Sequence, residues 1–248
     1  MGKGLAFVKR EERKMSENTN SSSEAQQSAS GKNSRKITII AITALIIILV
    51  CCAVSFSAPK EMILNVGSSI EFGSFEQNAD KDGAESIQWL VAGEKDGKYL
   101  LVSKYCLEAR AYDDSDDASQ SWESSSLREY LNGQFFETAF NEKEQGMIAE
   151  AELVNSFEEV ENGTEATMDK VFILSSEEIS EFLGDDKEVL TAHFADDEEG
   201  LCWWWVRTPG YIDTYVSVIK TNGVFYSRGD SAINPLGGVR PAIWIESK

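Results

Sequence analysis

The chain has 248 residues, of which 23 are basic and 42 acidic, so its formal net charge is −19 at pH 7. A chain this acidic repels phosphate backbones, which argues against nucleic-acid binding. The residues that follow its one long apolar run are numerous enough for a single well-packed core.

The apolar run covers residues 37–57 and carries no charge. As a helix it would span ~30 Å, the hydrocarbon thickness of a bilayer, which predicts a transmembrane helix. The run divides the chain into a disordered cytoplasmic tail (1–36), the helix, a short stalk (58–65) and one extracellular domain (66–248). Eight basic and four acidic residues precede the run, whereas 15 basic and 38 acidic residues follow it. This asymmetry predicts a cell-membrane protein with its N-terminus in the cytoplasm and its C-terminal domain outside.

Two alternatives to an uncleaved membrane anchor remain open. Small residues near the end of the run offer a cleavage site for a signal peptide, although the leader before it is long. Lipidation at Cys51 or Cys52 is the other alternative.

Strand patterns open and close the domain. Alternation at residues 69–75 and apolar runs at 87–92 and 99–103 predict strands, the last two joined by a hairpin whose turn contains Asp96 and Gly97. Residues 202–207, 215–219, 224–227 and 239–245 predict four further strands.

Helix patterns fall between these strands, at residues 125–132, 142–148 and 176–183, with a buried strand pattern at 170–174. Strands at both ends with helices in the middle predict an α+β domain with a mixed or antiparallel sheet.

Few residues of the domain suggest metal or nucleophilic chemistry. Its two cysteines, Cys106 and Cys202, can form one long-range disulfide in an oxidising compartment, but their spacing alone does not establish the bond. The single histidine, His193, lacks the context of a nucleophile elbow, and no acidic run has the spacing of a calcium loop. We therefore predict no metal and no cofactor.

Three consecutive tryptophans, Trp203, Trp204 and Trp205, are the most unusual local feature. On a strand the first and third face one way and the second the other, and large aromatics on a central strand favour packing over ligand binding. Arg207 and Arg240, together with Trp244, lie in the same apolar strands. We assign all six residues a structural role.

Ordered sequence blocks across residues 66–246 resemble an uncharacterised family of bacterial extracellular domains, a domain of unknown function. The blocks include FGSFEQ at 72–77, IQWLV at 87–91, LLVSKY at 100–105, WWWVRTPG at 203–210 and GVRPAIW at 238–244. The closing blocks also resemble the C-type-lectin-like fold of formylglycine-generating enzymes and variable surface proteins. This second resemblance implies a core sheet built from the closing strands.

The variable surface proteins bind ligands with the loops around their last hairpin, which correspond here to residues 211–214 and 228–236. The resemblance thus implies six candidate ligand-binding residues: Tyr211, Asp213, Tyr226, Arg228, Asp230 and Asn234. Formylglycine-generating enzymes use a cysteine pair at the active centre, and this region holds Cys202 alone, which argues against that activity.

We therefore expect a membrane-anchored surface protein whose extracellular domain binds a glycan, peptide or protein ligand without catalysis. An enzyme on the formylglycine-generating fold and a structural envelope component are the alternatives. The first requires a cluster of ionisable groups in one cleft, and the second a large exposed apolar patch.

Overall fold

The computed structural model describes residues 64–78, 83–155 and 166–246, all of which lie in the compact unit Met62–Lys248. Within these residues 41% form strands and 17% form helices. The strands of the first sheet are β1 (Ser69–Phe75), β2 (Glu85–Lys95), β3 (Lys98–Ser103), β5 (Ile148–Ala149) and β14 (Ala242–Glu246). Those of the second are β4 (Glu108–Ala109), β10 (Trp204–Pro209), β11 (Tyr215–Ile219), β12 (Phe225–Ser231) and β13 (Gly238–Val239). Two further pairs are β6 (Ala151–Leu153) with β7 (Thr167–Asp169), and β8 (Ala192–Phe194) with β9 (Asp197–Cys202).

The first sheet has the order β1-β2-β3-β14-β5, with every neighbouring pair antiparallel. Its β2–β3 hairpin pairs Lys95 with Lys98 across a two-residue turn. Both turn residues have positive φ, 53° at Asp96 and 74° at Gly97, as a tight hairpin requires. The hairpin predicted from the sequence is therefore confirmed.

The second sheet has the order β12-β11-β10-β13-β4. Its pairs are antiparallel except that β10 and β13 run parallel. The β11–β12 hairpin is the last one predicted from the sequence, and it is confirmed. Within the described residues β12 is hydrogen-bonded to β11 alone, so it forms one edge of this sheet.

The described helices are short. They are α1 (Ser126–Tyr130), a π-helical segment (Leu131–Phe135), α2 (Phe136–Ala139), α3 (Glu142–Gln145), α4 (Ser176–Phe182) and α5 (Lys187–Leu190). The π-helical segment contains Asn132, whose side-chain oxygen accepts bonds from the backbone N–H groups of Lys170 and Val171 at 2.8 and 3.2 Å. Tertiary hydrogen bonds of this kind compete with a regular helix, and π segments are generally one turn long.

An irregular segment, residues 171–174, connects the two sheets. All four of its side chains are fully buried. Phe172 exchanges two backbone hydrogen bonds with Ala242 of β14, at 3.0 and 2.7 Å, and Leu174 accepts one from Arg207 of β10 at 2.9 Å. The hydrophobic core is thus continuous from the first sheet to the second.

The α+β prediction is wrong, because the described residues are mostly β with antiparallel sheets. The helical positions were largely correct, but each helix is only four to seven residues long, and the strands supply about half of the buried hydrophobic residues, far more than the helices do. The predicted strand at 170–174 is the irregular segment just described. The C-type-lectin-like fold was part of the α+β prediction, so that assignment is wrong for the same reason.

The predicted transmembrane segment, residues 37–57, lies outside the described residues, as do the tail and residues 58–63 of the stalk. Among the described helices none is both long and apolar enough to cross a bilayer. The predicted transmembrane helix therefore has no support from the structure. Leu64, which we assigned to the stalk, is buried in the core of the domain.

Candidate functional site: an acidic cleft beside the last hairpin

A cleft of about 1020 Å³ opens where the tip of the β2–β3 hairpin, β6, α4, the end of β10, β12 and β14 come together. It is therefore built from both sheets and from the helix that follows the buried segment 171–174. A volume of this size lies at the upper end of the range for ligand-binding clefts.

Arg207 lies at the cleft and is only 1% exposed. Its Nη2 donates to Glu178 Oε1 at 2.8 Å. Its Nε and Nη1 donate to the carbonyls of Ile173 and Val154 at 3.2 and 3.1 Å, and Nη1 also donates to the side-chain oxygen of Asn155. One guanidinium thus joins β10, α4, the buried segment and the residues after β6, and it holds these parts of the cleft in place.

The helix α4 begins with a capping box. Ser175 Oγ accepts from Glu178 N at 3.2 Å, and Glu178 Oε2 accepts from Ser175 N at 2.8 Å. Ser176 N donates to Thr208 Oγ1 at 2.9 Å, which ties the helix start to β10. Because both carboxylate oxygens of Glu178 are engaged, this residue positions α4.

Behind Arg207 a buried polar network extends away from the cleft. Asn155 donates to Thr167 Oγ1 at 3.2 Å, and Thr167 donates to Asp169 at 2.8 Å. Asp169 also accepts from Trp122 Nε1 at 2.9 Å and from Arg128 Nε at 2.7 Å. Satisfied networks of this kind make a fold rigid, so the floor of the cleft is a fixed surface.

The charge of the cleft is predominantly negative. Its acidic lining residues are Asp96, Glu150, Glu152, Glu177, Glu178 and Glu181, and its basic ones are Lys95, Lys98 and Arg207. Glu178 pairs with Arg207, and Glu181 pairs with Lys95 at 3.3 Å. Within the described residues, the other four acidic lining residues form no ion pair. Lys98 is the one basic lining residue described that is in no ion pair either.

Aromatic rings supply the apolar part of the lining. Tyr211 and Phe225 are 63% and 38% exposed. Phe182 and Trp244 meet edge to face with ring centroids 5.6 Å apart. Gly210 precedes Tyr211, and a Cβ at this position would lie 2.6 Å from the carbonyl oxygen of Tyr215, so a larger residue would displace the Tyr211 loop.

Of the six predicted ligand-binding residues, Tyr211 alone is a lining residue of the cleft. The guanidinium of Arg228 lies 5.8 Å from the Tyr211 ring centroid, which places these two together. Asp230 accepts from Asn234 Nδ2 at 2.9 Å, so this pair orders the loop after β12.

The other two predicted residues, Tyr226 and Asp213, contact residues that do not line the cleft. The Tyr226 ring lies under Lys220 Nζ at 3.6 Å. The backbone carbonyl of Asp213 accepts from Gln120 N at 2.9 Å. The structure thus places Tyr211 in the lining of the cleft, with Arg228 against its ring, and none of the other four predicted residues lines the cleft.

Trp204 and Trp205 are fully buried, and their Nε1 atoms donate to the carbonyls of Leu190 and Arg110 at 2.9 and 2.8 Å. Trp203 packs edge to face on Trp205, with centroids 4.8 Å apart. Arg240 is also buried and stacks over Trp204 at 5.1 Å. Trp244, assigned a structural role from the sequence, is partly buried and borders the cleft.

Several lining residues escaped the sequence analysis, chiefly Glu152, Glu177, Phe182 and Phe225. They come from three distant parts of the chain, β6, α4 and β12, so no local motif connects them. The one available signal was the abundance of carboxylates, which the sequence analysis considered only as candidate calcium ligands. Among the described residues no group of three or more His, Cys, Asp and Glu side chains is arranged to hold a metal ion.

Comparison with known proteins gives a single family. The sequence model of a domain of unknown function (DUF6273) matches residues 96–247. No curated protein and no solved structure matches the chain. The matched range contains most of the cleft-lining residues, including the whole of α4, β10 and β12.

Proposed function

We propose that this chain, which belongs to the DUF6273 family of domains of unknown function, binds an extended, positively charged peptide in its acidic cleft without transforming it. The observation that carries the proposal is the coincidence, at one open cleft, of exposed aromatic rings, a sheet edge and carboxylates that form no ion pair within the described residues. The alternatives of an enzyme or an envelope component, and the location outside the cell, stay predictions.

Charge selects the class of ligand. Asp96, Glu150, Glu152 and Glu177 surround the cleft with a single basic lining residue, Lys98, outside the two ion pairs. Carboxylates arranged in this way attract lysine and arginine side chains and repel anionic ligands. A cationic ligand is therefore favoured over an acidic one.

The edge of β12 favours a peptide. Phe225 and Ser227 of this strand line the cleft, and within the described residues its outer edge is unpaired. A register shift and Gly229, with φ 71°, interrupt the strand, so the regular edge is limited to residues 225–228. A short extended peptide can pair with this edge through its backbone and place alternate side chains in the cleft.

The aromatic residues supply the apolar contacts. Tyr211 and Phe225 are more exposed than aromatic side chains usually are in a folded domain. A ligand that turns both lysine and aromatic side chains toward the cleft would cover these rings while its ammonium groups meet the carboxylates.

The test is the affinity of the full chain for a labelled peptide, followed by fluorescence polarisation. In this peptide lysine and phenylalanine take turns at every second position, with serine between them, so that one face of the extended chain carries both. We expect Glu152→Gln combined with Glu177→Gln to weaken binding about tenfold at low salt, because two ligand-facing charges are lost. Neither substitution removes a partner of Arg207. The matched control is Glu129→Gln with Glu137→Gln, two exposed carboxylates outside the cleft that give the same change in net charge.

Equal weakening by the control pair would show that net charge alone attracts the peptide and would overturn the site. Binding of an amino-sugar oligomer with no binding of the peptide would retain the cleft and replace the ligand class. A peptide with glutamate in place of lysine should not bind.

A further inference from the structure

The ion pair between Lys95 and Glu181 lines the acidic cleft and is open to solvent. Lys95 Nζ lies 3.3 Å from Glu181 Oε1. Lys95 is the last residue of β2, next to the hairpin turn, and Glu181 lies in the last turn of α4. The two side chains are 55% and 52% exposed, so a ligand in the cleft can reach both charges.

The second ion pair of the cleft, between Arg207 and Glu178, differs in burial. Its side chains are only 1% and 23% exposed, and the other carboxylate oxygen of Glu178 accepts from Ser175 N. Breaking a buried pair leaves a charge without partner or water, whereas an exposed pair is screened and contributes little to stability. Of the two pairs, Lys95–Glu181 is therefore the one whose cation can be exchanged at little cost.

The attachment of α4 to the β2–β3 hairpin does not depend on this exposed pair. A Cβ at Gly93 of β2 would overlap the ring of Phe182, so the ring packs directly against the strand. The same ring meets Trp244 of β14 edge to face, with centroids 5.6 Å apart. Phe182 thus fixes the end of α4 to two strands, and the Lys95–Glu181 pair can break while the walls of the cleft stay in place.

Glu181 is also a neighbour of a carboxylate already assigned to the ligand. It follows Glu177 by four residues on α4, and residues at this spacing lie on the same helix face. Within the described residues Glu177 forms no ion pair. A ligand cation held by Glu177 therefore comes close to Glu181, whose charge Lys95 neutralises in the free protein.

We propose that Lys95 is a tethered competitor of the cationic ligand. It occupies Glu181 until a lysine or arginine side chain of the ligand displaces it, and Glu181 then becomes the fifth carboxylate that binds the ligand. The inference rests on the proposed peptide-binding function and adds to it a residue that sets the affinity. Because the ligand must displace Lys95, the chain binds cations less tightly than its open carboxylates would allow.

The test compares Lys95→Gln with Lys98→Gln in the full chain. The two lysines face each other across the same hairpin turn and both line the cleft, so the substitutions change the net charge equally. Lys98 forms no ion pair within the described residues. We expect Lys95→Gln to bind the lysine–phenylalanine peptide about fivefold more tightly than the wild type at low salt, the upper range for an exposed pair. Lys98→Gln removes only screened repulsion and should gain about twofold.

A double substitution shows whether the gain passes through Glu181. In a chain that carries Glu181→Gln, the further change Lys95→Gln should improve binding no more than Lys98→Gln does, because no carboxylate remains to be exposed. A purely structural ion pair would give the opposite sign, since Lys95→Gln would loosen the cleft and weaken binding. The unfolding temperature of Lys95→Gln should equal that of the wild type, as expected for an exposed pair.

The outcomes separate this inference from the proposed function. Equal gains from Lys95→Gln and Lys98→Gln would overturn the inference alone, as would a fivefold gain from Lys95→Gln that persists when Glu181 is glutamine. In both cases the wild-type chain would still bind the peptide. Absence of peptide binding in the wild type and in Lys95→Gln alike would overturn the proposed function, and the inference with it.

Discussion

The two buried arginines of this domain are stabilised in different ways. Arg207 has a carboxylate partner, Glu178, and borders the cleft. Arg240 donates to two backbone carbonyls, stacks over Trp204 and has no carboxylate partner within the described residues. Arg207 lies in β10 and Arg240 lies between β13 and β14, and both belong to sequence blocks that suggested a purely structural role.

Arg207 organises the cleft, whereas Arg240 packs inside the core. The contacts of Arg207 reach the buried segment and two parts that line the proposed binding cleft, α4 and the residue after β6. The contacts of Arg240 reach the end of β3 and α5, beside the two cysteines, which are buried and have free thiols. Substitutions at the two positions should therefore differ in how much they lower the free energy of unfolding and in whether they affect peptide binding.

The largest effect should come from Arg207→Met. It leaves Glu178 and three oxygen acceptors without their donor, and breaking a buried ion pair generally costs about 3–5 kcal/mol of the free energy of unfolding. Urea denaturation followed by tryptophan fluorescence measures the loss. Peptide binding should weaken with it, because α4 loses its ion pair to β10 and is held there only by the Ser176–Thr208 hydrogen bonds.

A second variant tests whether the loss of the Arg207–Glu178 ion pair accounts for this destabilisation. Glu178→Gln keeps an oxygen acceptor for Arg207 but leaves its charge unneutralised, so it should cost less than Arg207→Met. If the Arg207→Met protein were as stable as the wild type, the guanidinium would not be holding the cleft together.

A smaller effect is expected for Arg240→Met. The substitution leaves the carbonyls of Ser103 and Val189 without their donor, and it also removes a buried charge that is costly to desolvate. The lost hydrogen bonds destabilise the folded state, whereas the removal of the buried charge stabilises it. We therefore expect the free energy of unfolding, measured by urea denaturation, to fall by about 2 kcal/mol. A loss larger than that of Arg207→Met would reverse the comparison. Peptide binding by the folded fraction should be unchanged.

The hairpins could be predicted from the sequence because their signals are local. Asp96 and Gly97 stand between two apolar runs, and the structure places both at positive φ in a two-residue turn. The helix starts at Ser125 and Ser175 likewise follow from side chains that cap the next few residues. These are interactions within a few positions of the chain.

The fold class and the cleft depend on distant contacts. Asn132 bonds to Lys170 and Val171 and replaces a regular helix by a π-helical segment, which no pattern within residues 125–132 indicates. The cleft joins Glu152, Glu177 and Phe225, which meet only once both sheets are formed. The predicted ligand residues were drawn from one hairpin, and so they included one side of the site and missed the others.

The smallest predicted effect concerns pH and Tyr112, a residue on which Arg207 acts. Burial raises the pKa of Tyr112 well above its usual value of 10, Asp113 raises it further, and the charge of Arg207 opposes the shift. The folded state keeps the phenol proton where the unfolded chain loses it, so this contribution to stability is complete below pH 10 and declines as the pH rises above it. In Tyr112→Phe the free energy of unfolding should fall less steeply above pH 10, by about 1 kcal/mol per pH unit.

The matched variant for this measurement is Tyr130→Phe. Burial also raises the pKa of Tyr130, Glu108 adds to the shift and Arg110 opposes it. Its ring is only partly buried, so solvent screening should make the change in slope smaller than that of Tyr112→Phe. Urea denaturation at successive pH values above 10 measures both slopes against the wild type. A Tyr112→Phe protein whose stability fell in parallel with the wild type would show that the buried phenol ionises as readily in the folded state as in the unfolded chain, and that neither burial nor its charged neighbours control it.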